Sequence, residues 1–162
     1  MFNFNYVQWD LTMKLSQSDT TVGAGSHFKL FVELDLAAHV HLYAPGAEKN
    51  GYKVVKLEIN PSDDYRSEPL QYPSKLLTFP ELKETVPVYS GPTVLAEDIV
   101  IAATKEFNHS IGDGETVPIG GMLSYQACDD HRCFVPVQQA VSWDVRVEPF
   151  DMVRAPEPLQ HK

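Results

Sequence analysis

Between Phe28 and Leu36 the chain alternates apolar and polar positions almost without a break. Phe28, Leu30, Val32, Leu34 and Leu36 share one parity, and Lys29, Phe31, Glu33 and Asp35 the other. Successive side chains of a strand point to opposite faces, so this pattern buries its apolar set only when extended. Leu11, Met13 and Leu15 repeat it after Trp9, and Val54 to Ile59 form a further strand closed by Asn60-Pro61. Thr93 to Thr104, Thr116 to Gln126 and Val135 to Val147 read the same way, the last with Val141, Trp143, Val145 and Val147 on one face. No long segment carries a helical period. Gly and Pro punctuate the gaps at Val22-Gly23-Ala24-Gly25, Pro45-Gly46, Ser90-Gly91-Pro92, Ile111-Gly112-Asp113-Gly114 and Gly120-Gly121.

Roughly seven to nine short strands with frequent turn signals predict an all-β protein, an immunoglobulin-like antiparallel β-sandwich. The two cysteines are too close together to bridge two sheets as they do in antibody domains. Residues 60 to 92 hold Pro61, Pro69, Pro73, Pro80, Pro87 and Pro92. Proline is poor in central strands, so this stretch is expected to be a long irregular region, either a surface connection or a segment that binds or covers something. The reading is of one domain over residues 1–153, with a tail or linker over 154–162. A chain of 162 residues is long enough to bury a full core without help from a disulfide.

Composition removes several function classes. The formal charge is −9, which lacks the basic footprint of a nucleic-acid binder or a polybasic membrane patch. No stretch approaches the ~20 apolar residues of a membrane span, so this segment is not expected to contact a membrane itself, although a fuller protein could be anchored. Met1-Phe2-Asn3-Phe4-Asn5 has neither the basic start nor the apolar core of a signal peptide. That is expected either of a cytosolic chain or of a domain whose export signal lies upstream.

The only cysteines, Cys128 and Cys133, lie in Leu123-Ser124-Tyr125-Gln126-Ala127-Cys128-Asp129-Asp130-His131-Arg132-Cys133-Phe134-Val135-Pro136. With so few residues between them, a disulfide would cross-link almost nothing distant and contribute roughly 2 kcal/mol through chain entropy. A metal site is not expected. Cys128, His131 and Cys133 are potential ligands, but structural zinc sites usually take four ligands from two separated pairs. His27, His39, His41, His109 and His161 show no partner pattern; His39 and His41 would share a strand face. Hydrolase motifs and phosphate loops are absent. Redox chemistry fits better. Arg132 or a protonated His131 would favour a thiolate while Asp129 and Asp130 oppose it, and a second thiol stands ready to resolve a mixed disulfide.

Tyr125-Gln126-Ala127-Cys128-Asp129-Asp130-His131-Arg132-Cys133-Phe134-Val135-Pro136 resembles the Y-Q-x-C-x-D…C-x-x-P signature of the N-terminal periplasmic domain of the DsbD family of thiol:disulfide interchange proteins. His41-Leu42-Tyr43-Ala44-Pro45-Gly46 is similar to that family's H-x-Y-x-x-G segment, and Val86-Pro87-Val88-Tyr89-Ser90-Gly91 to its x-Y-x-G segment. The chain departs from the best-known member in having one residue fewer between its cysteines, and Val88 where that member has phenylalanine.

The resemblance implies an immunoglobulin-like domain in the periplasm or another extracytoplasmic space. It implies a protein-disulfide reductase that accepts electrons from a thioredoxin-like partner and passes them to disulfide-containing periplasmic proteins. No cofactor is implied. Cys133 would form the mixed disulfide and Cys128 would resolve it. Val88 and Tyr89 would belong to a cap loop shielding the pair, with Tyr43 and Tyr125 lining the site, although packing alone would account for Tyr125. The competing expectation is a non-catalytic β-sandwich interaction module whose loop disulfide only stiffens a hairpin.

Overall fold

The computed structural model describes residues 5–70 and 74–149. Among these, the strands form three sheets. The first joins β1 (Asn5–Val7), β2 (Leu11–Gln17), β4 (His27–Leu36), β10 (Pro92–Ile101) and β7 (Tyr65–Leu70), in the order β1-β2-β4-β10-β7. The second joins β3 (Thr21–Gly23), β13 (Val137–Glu148), β11 (Glu115–Tyr125) and β6 (Lys56–Ile59). All these pairings are antiparallel except β3 with β13.

The two larger sheets face one another as a sandwich. Leu11, Met13 and Leu15 of β2, with Leu30 and Val32 of β4, are buried against Ile119, Leu123, Trp143 and Val145 of β11 and β13. The period-2 pattern is the cause: only alternate residues face inward, and those are the apolar ones. Trp143 spans the gap, its indole Nε1 donating to the Phe31 carbonyl at 3.4 Å. Gln17 Nε2 donates across to the Asp144 carbonyl at 3.1 Å. The all-β sandwich expected from the pattern is the architecture observed.

Two local expectations are corrected. Gly120 and Gly121 lie inside β11 rather than at a turn. Gly121 pairs with Ile59, and a Cβ there would sit 2.5 Å from the Glu58 carbonyl oxygen, so its lack of a side chain lets β6 approach. Among its described residues, the stretch from 60 to 92 is not irregular. It contains β7, β8 (Lys75–Phe79) and β9 (Glu84–Tyr89). Pro69 fits because its strand is at a sheet edge and Pro92 because it opens its strand, while Pro61 and Pro80 lie between strands and Pro87 sits inside β9. The tail expected over 154–162 lies outside the described residues.

The third sheet, β12-β5-β9-β8, is assembled from short pieces: β12 is Ala127–Cys128 and β5 is His41–Tyr43. The β5–β9 ladder ends at Pro87. Ala44 donates to the Pro87 carbonyl at 3.0 Å, but proline has no N–H to return. The Ala44 carbonyl instead accepts from Ala47 N at 3.0 Å, at the start of a 3₁₀ turn over Ala47–Asn50.

Candidate functional site

The register of the small sheet divides its residues between two faces. Ala127 opposes Leu42, and Leu42 opposes Tyr89; these three belong to the sandwich core. Cys128 opposes His41, and Tyr43 opposes Val88. Since residues directly opposite on neighbouring strands share a face, Cys128, His41, Tyr43 and Val88 line the other side. There Cys128, Tyr43, Val88, Val86 and Ala47 make a second buried cluster, flanked by Tyr52, Val54, Leu77 and Phe79.

Much of that cluster is aromatic. The Tyr43 and Tyr52 rings stack at 4.1 Å between centroids, and the His41 ring stands edge-on to Tyr43 at 5.0 Å. Phe79 lies 6.5 Å from His41 and 6.3 Å from Tyr52. Tyr52 donates its hydroxyl to Glu84 Oε1 at 3.0 Å, fixing the outer ring. Burial, with Tyr52 and Glu84 nearby, pushes the Tyr43 hydroxyl up to about 12. Tyr43 therefore stays neutral beside the sulfur.

Cys128 and Cys133 are joined by a disulfide, with Cα atoms 3.9 Å apart. Their environments are opposite. Cys128 is 1% exposed within the aromatic cluster, whereas Cys133 is exposed. The hairpin between them holds itself together. Asp129 Oδ1 accepts from the backbone N–H groups of His131 and Arg132, each at 2.8 Å, and Asp129 N donates to the Arg132 carbonyl at 2.8 Å. These bonds favour the ionised carboxylate and hold Asp129 below its ordinary value. Phe134 N donates to the Ala127 carbonyl at 2.8 Å, and Gln126 Nε2 to the Phe134 carbonyl at 2.9 Å.

Outside the hairpin lies an aromatic and apolar surface. Trp9, 63% exposed, meets the Phe134 ring edge-on at 4.5 Å, and the Arg132 guanidinium sits 5.0 Å from the centre of the Phe134 ring. Val135 is 81% exposed. These exposed side chains lie on the hairpin that carries the disulfide or against it.

The structure thus brings Cys128, Cys133, Tyr43 and Val88 together. Val88 and Tyr89 lie in strand β9, not in a loop, and Tyr89 points to the opposite face, into the core that also holds Tyr125. His39 and His41 do not share a strand face. His39 takes a left-handed backbone (φ 66°) in the preceding turn and places Nδ1 3.5 Å from Asp130 Oδ2, while His41 is buried on β5. From the sequence, His41 is a motif residue and a strand companion of His39, with no chemical role. Trp9 and Phe134 were not singled out either, because both lie outside the strands and nothing local marks them as neighbours. Among the described residues, no cluster of three or more His, Cys, Asp or Glu side chains is arranged to hold a metal ion.

No protein-family profile matches the chain, and no curated protein matches it. Among solved structures it is similar to the N-terminal periplasmic domain of ScsB from Proteus mirabilis, at 16% identity and a TM-score of 0.50. The match covers 94% of this chain and 51% of that one, so the chain spans about half of its length. At this identity the likeness is one of fold. The yeast GGA1 GAE domain is similar at 7% identity and a TM-score of 0.44, over 85% of this chain and 95% of that one; that likeness is too distant to bear on fold or function. Among the described residues, no helix is long and apolar enough to cross a membrane.

Proposed function

We propose that this chain is a thiol:disulfide exchange domain of an extracytoplasmic, DsbD-like kind. In the reduced form, Cys133 attacks a partner disulfide and holds one partner sulfur as a mixed disulfide. Cys128 then attacks Cys133, forming the intramolecular bond and releasing the partner with two electrons gained. Run in the opposite direction, a reduced thioredoxin-like partner recharges the pair. The observation that carries this reading is the asymmetry of the bond, one sulfur buried among rings and the other exposed. An attacking thiol has to be reached, whereas a resolving thiol is best kept from other partners.

Three further features support it. The hairpin is already tied by Asp129 and by the Phe134–Ala127 hydrogen bond, so a structural staple there would be redundant. Trp9, Phe134, Arg132 and Val135 offer a partner surface beside Cys133. Shielding of Cys128 falls to Tyr43 and Val88, with Tyr89 supporting the sheet from behind. An extracytoplasmic setting suits a persistent disulfide and agrees in kind with the periplasmic domain whose fold is shared.

The test mixes the oxidised chain with reduced thioredoxin and follows free thiols. Wild-type chain is expected to be reduced; in a separate mixture with oxidised thioredoxin, reduced Cys128→Ala is expected to attack that disulfide through Cys133 and be held as a mixed disulfide, while Cys133→Ala forms none. A Cys128–Cys133 bond that resists reduction down to about −300 mV would place it with structural disulfides and overturn the reading.

A further inference from the structure

His41 is 5% exposed, and its Nε2 has no hydrogen-bond partner. An unpaired buried polar atom costs about 1–3 kcal/mol, so a fold that keeps one usually has a use for it. Its position suggests the use. His41 is the residue directly opposite Cys128 in the β5–β12 pair, and its ring and the cysteine side chain occupy the same face of the sheet. The remaining wall is made by Tyr43 on its own strand and Phe79 of β8, neither of which carries charge at neutral pH. The charged groups facing it are Asp129 and Asp130 from the cysteine hairpin, the latter shared with His39.

Cys128 presents a chemical difficulty that this arrangement answers. Only a thiolate attacks a mixed disulfide, yet apolar burial favours the neutral thiol. The resolving step therefore needs a base inside the cluster. We infer that His41 is that base, taking the Cys128 thiol proton on Nε2 as the mixed disulfide is resolved. This inference rests on the exchange reading of the cysteine pair.

The step balances as follows. The S–H bond of Cys128 breaks and its proton passes to Nε2. The Cys128 thiolate attacks the Cys133 sulfur, the Cys128–Cys133 bond forms, and the bond from Cys133 to the partner breaks. The partner sulfur leaves as a thiolate carrying the electron pair, and the imidazolium gives up its proton to that thiolate or to solvent. In the recharging direction the order reverses, and His41 as an imidazolium protonates the departing Cys128 thiolate. Desolvation holds the imidazole below its ordinary value, against the opposing pull of Asp130 and Asp129. The base is thus unprotonated and ready in the resting state, and the two carboxylates steady the imidazolium once formed.

The experiment forms the mixed disulfide between the reduced chain and an oxidised thioredoxin-fold protein, and follows its resolution by rapid acid quench across pH. Wild type is compared with His41→Gln and His41→Phe, whose folding is checked by circular dichroism. Loss of the base is expected to slow resolution about 100-fold near neutral pH, with the deficit closing in alkali as the thiol ionises unaided. A second measurement needs no partner: in Cys133→Ala, the ultraviolet thiolate absorbance of Cys128 should titrate at higher pH when His41 is also replaced.

If wild type forms no mixed disulfide, the exchange reading falls, and this inference with it. If wild type exchanges but the His41 variants show the same pH profile, His41 is only packing and the inference alone is overturned. Should one variant fail to fold, the other variant and the thiolate titration decide.

Discussion

The sandwich core and the cysteine face of the small sheet are built to different rules. Between the large sheets the fully buried side chains are mostly aliphatic: Leu30, Val32, Ile99, Ile119, Leu123 and Val145. They stand on long strands, such as the 11 residues of β11 and the 12 of β13. On the cysteine face a disulfide, an imidazole and stacked rings are carried by strands of two and three residues. Long strands share their stability over many ladder bonds, whereas short pieces open locally at low cost. The difference teaches that global stability and the disulfide are kept apart, so that under the proposed exchange reading the bond would open while the sandwich stays closed.

The comparison breaks most visibly in the core. Leu30→Ala removes a fully buried side chain and should cost about 2–5 kcal/mol, read by urea denaturation. If it unfolds the small sheet alone, the assignment of global stability to the sandwich is wrong. Glu97 gives the second effect, with the opposite sign. Burial raises its carboxyl from 4.5 to about 7, beside a cavity of about 320 Å³ that Val55, Leu57 and Tyr89 help line. A raised folded value means stability is fully present below the unfolded value, falls as pH rises towards 7, and stays reduced above it. Glu97→Gln should therefore be neutral in acid and stabilising by about 3 kcal/mol above pH 7, from the size of the shift. A melting curve independent of pH would refute this.

Gly121→Ala should follow at about 1–3 kcal/mol, because its new Cβ drives against the Glu58 carbonyl. Replacing both cysteines by serine should cost at most about 2 kcal/mol. In native-state hydrogen exchange that loss should appear at β12 and β5 with β11 and β13 unchanged; a loss spread evenly would erase the distinction between the regions. The smallest effect is expected of Asp129→Ala. The lowered folded value of Asp129 means its contribution is present at neutral pH and fades as acid protonates the carboxylate. The variant should loosen the hairpin amides of His131 and Arg132 near neutrality and match wild type in strong acid.

The same division governs what could be read from the residues alone. The long strands were legible because alternation over many positions has one structural meaning, and β2, β4, β10, β11 and β13 fall where the pattern places them. β12 and β5 are too short to show a period. The proline-bearing segment misled because an edge position, as at Pro69, and a strand start, as at Pro92, tolerate proline as well as a loop does. The cysteine pair was visible from spacing and motif, but its two unequal environments arise from pairing between residues far apart in the chain, Cys128 and His41. The same holds for Trp9 against Phe134: contacts set by sheet register leave no local trace.

That last contact has an optical consequence. The chain has two tryptophans, Trp9 and Trp143. Trp143 is sealed between the large sheets and should emit as an indole shielded from water, whatever happens at the hairpin. Trp9 stands in solvent against the residue that follows Cys133. Its fluorescence should shift to the blue when a partner covers it and change in intensity when the neighbouring disulfide opens. The protein carries one sealed reference and one exposed reporter, so a single emission spectrum tests for docking and for opening of the disulfide without any added label.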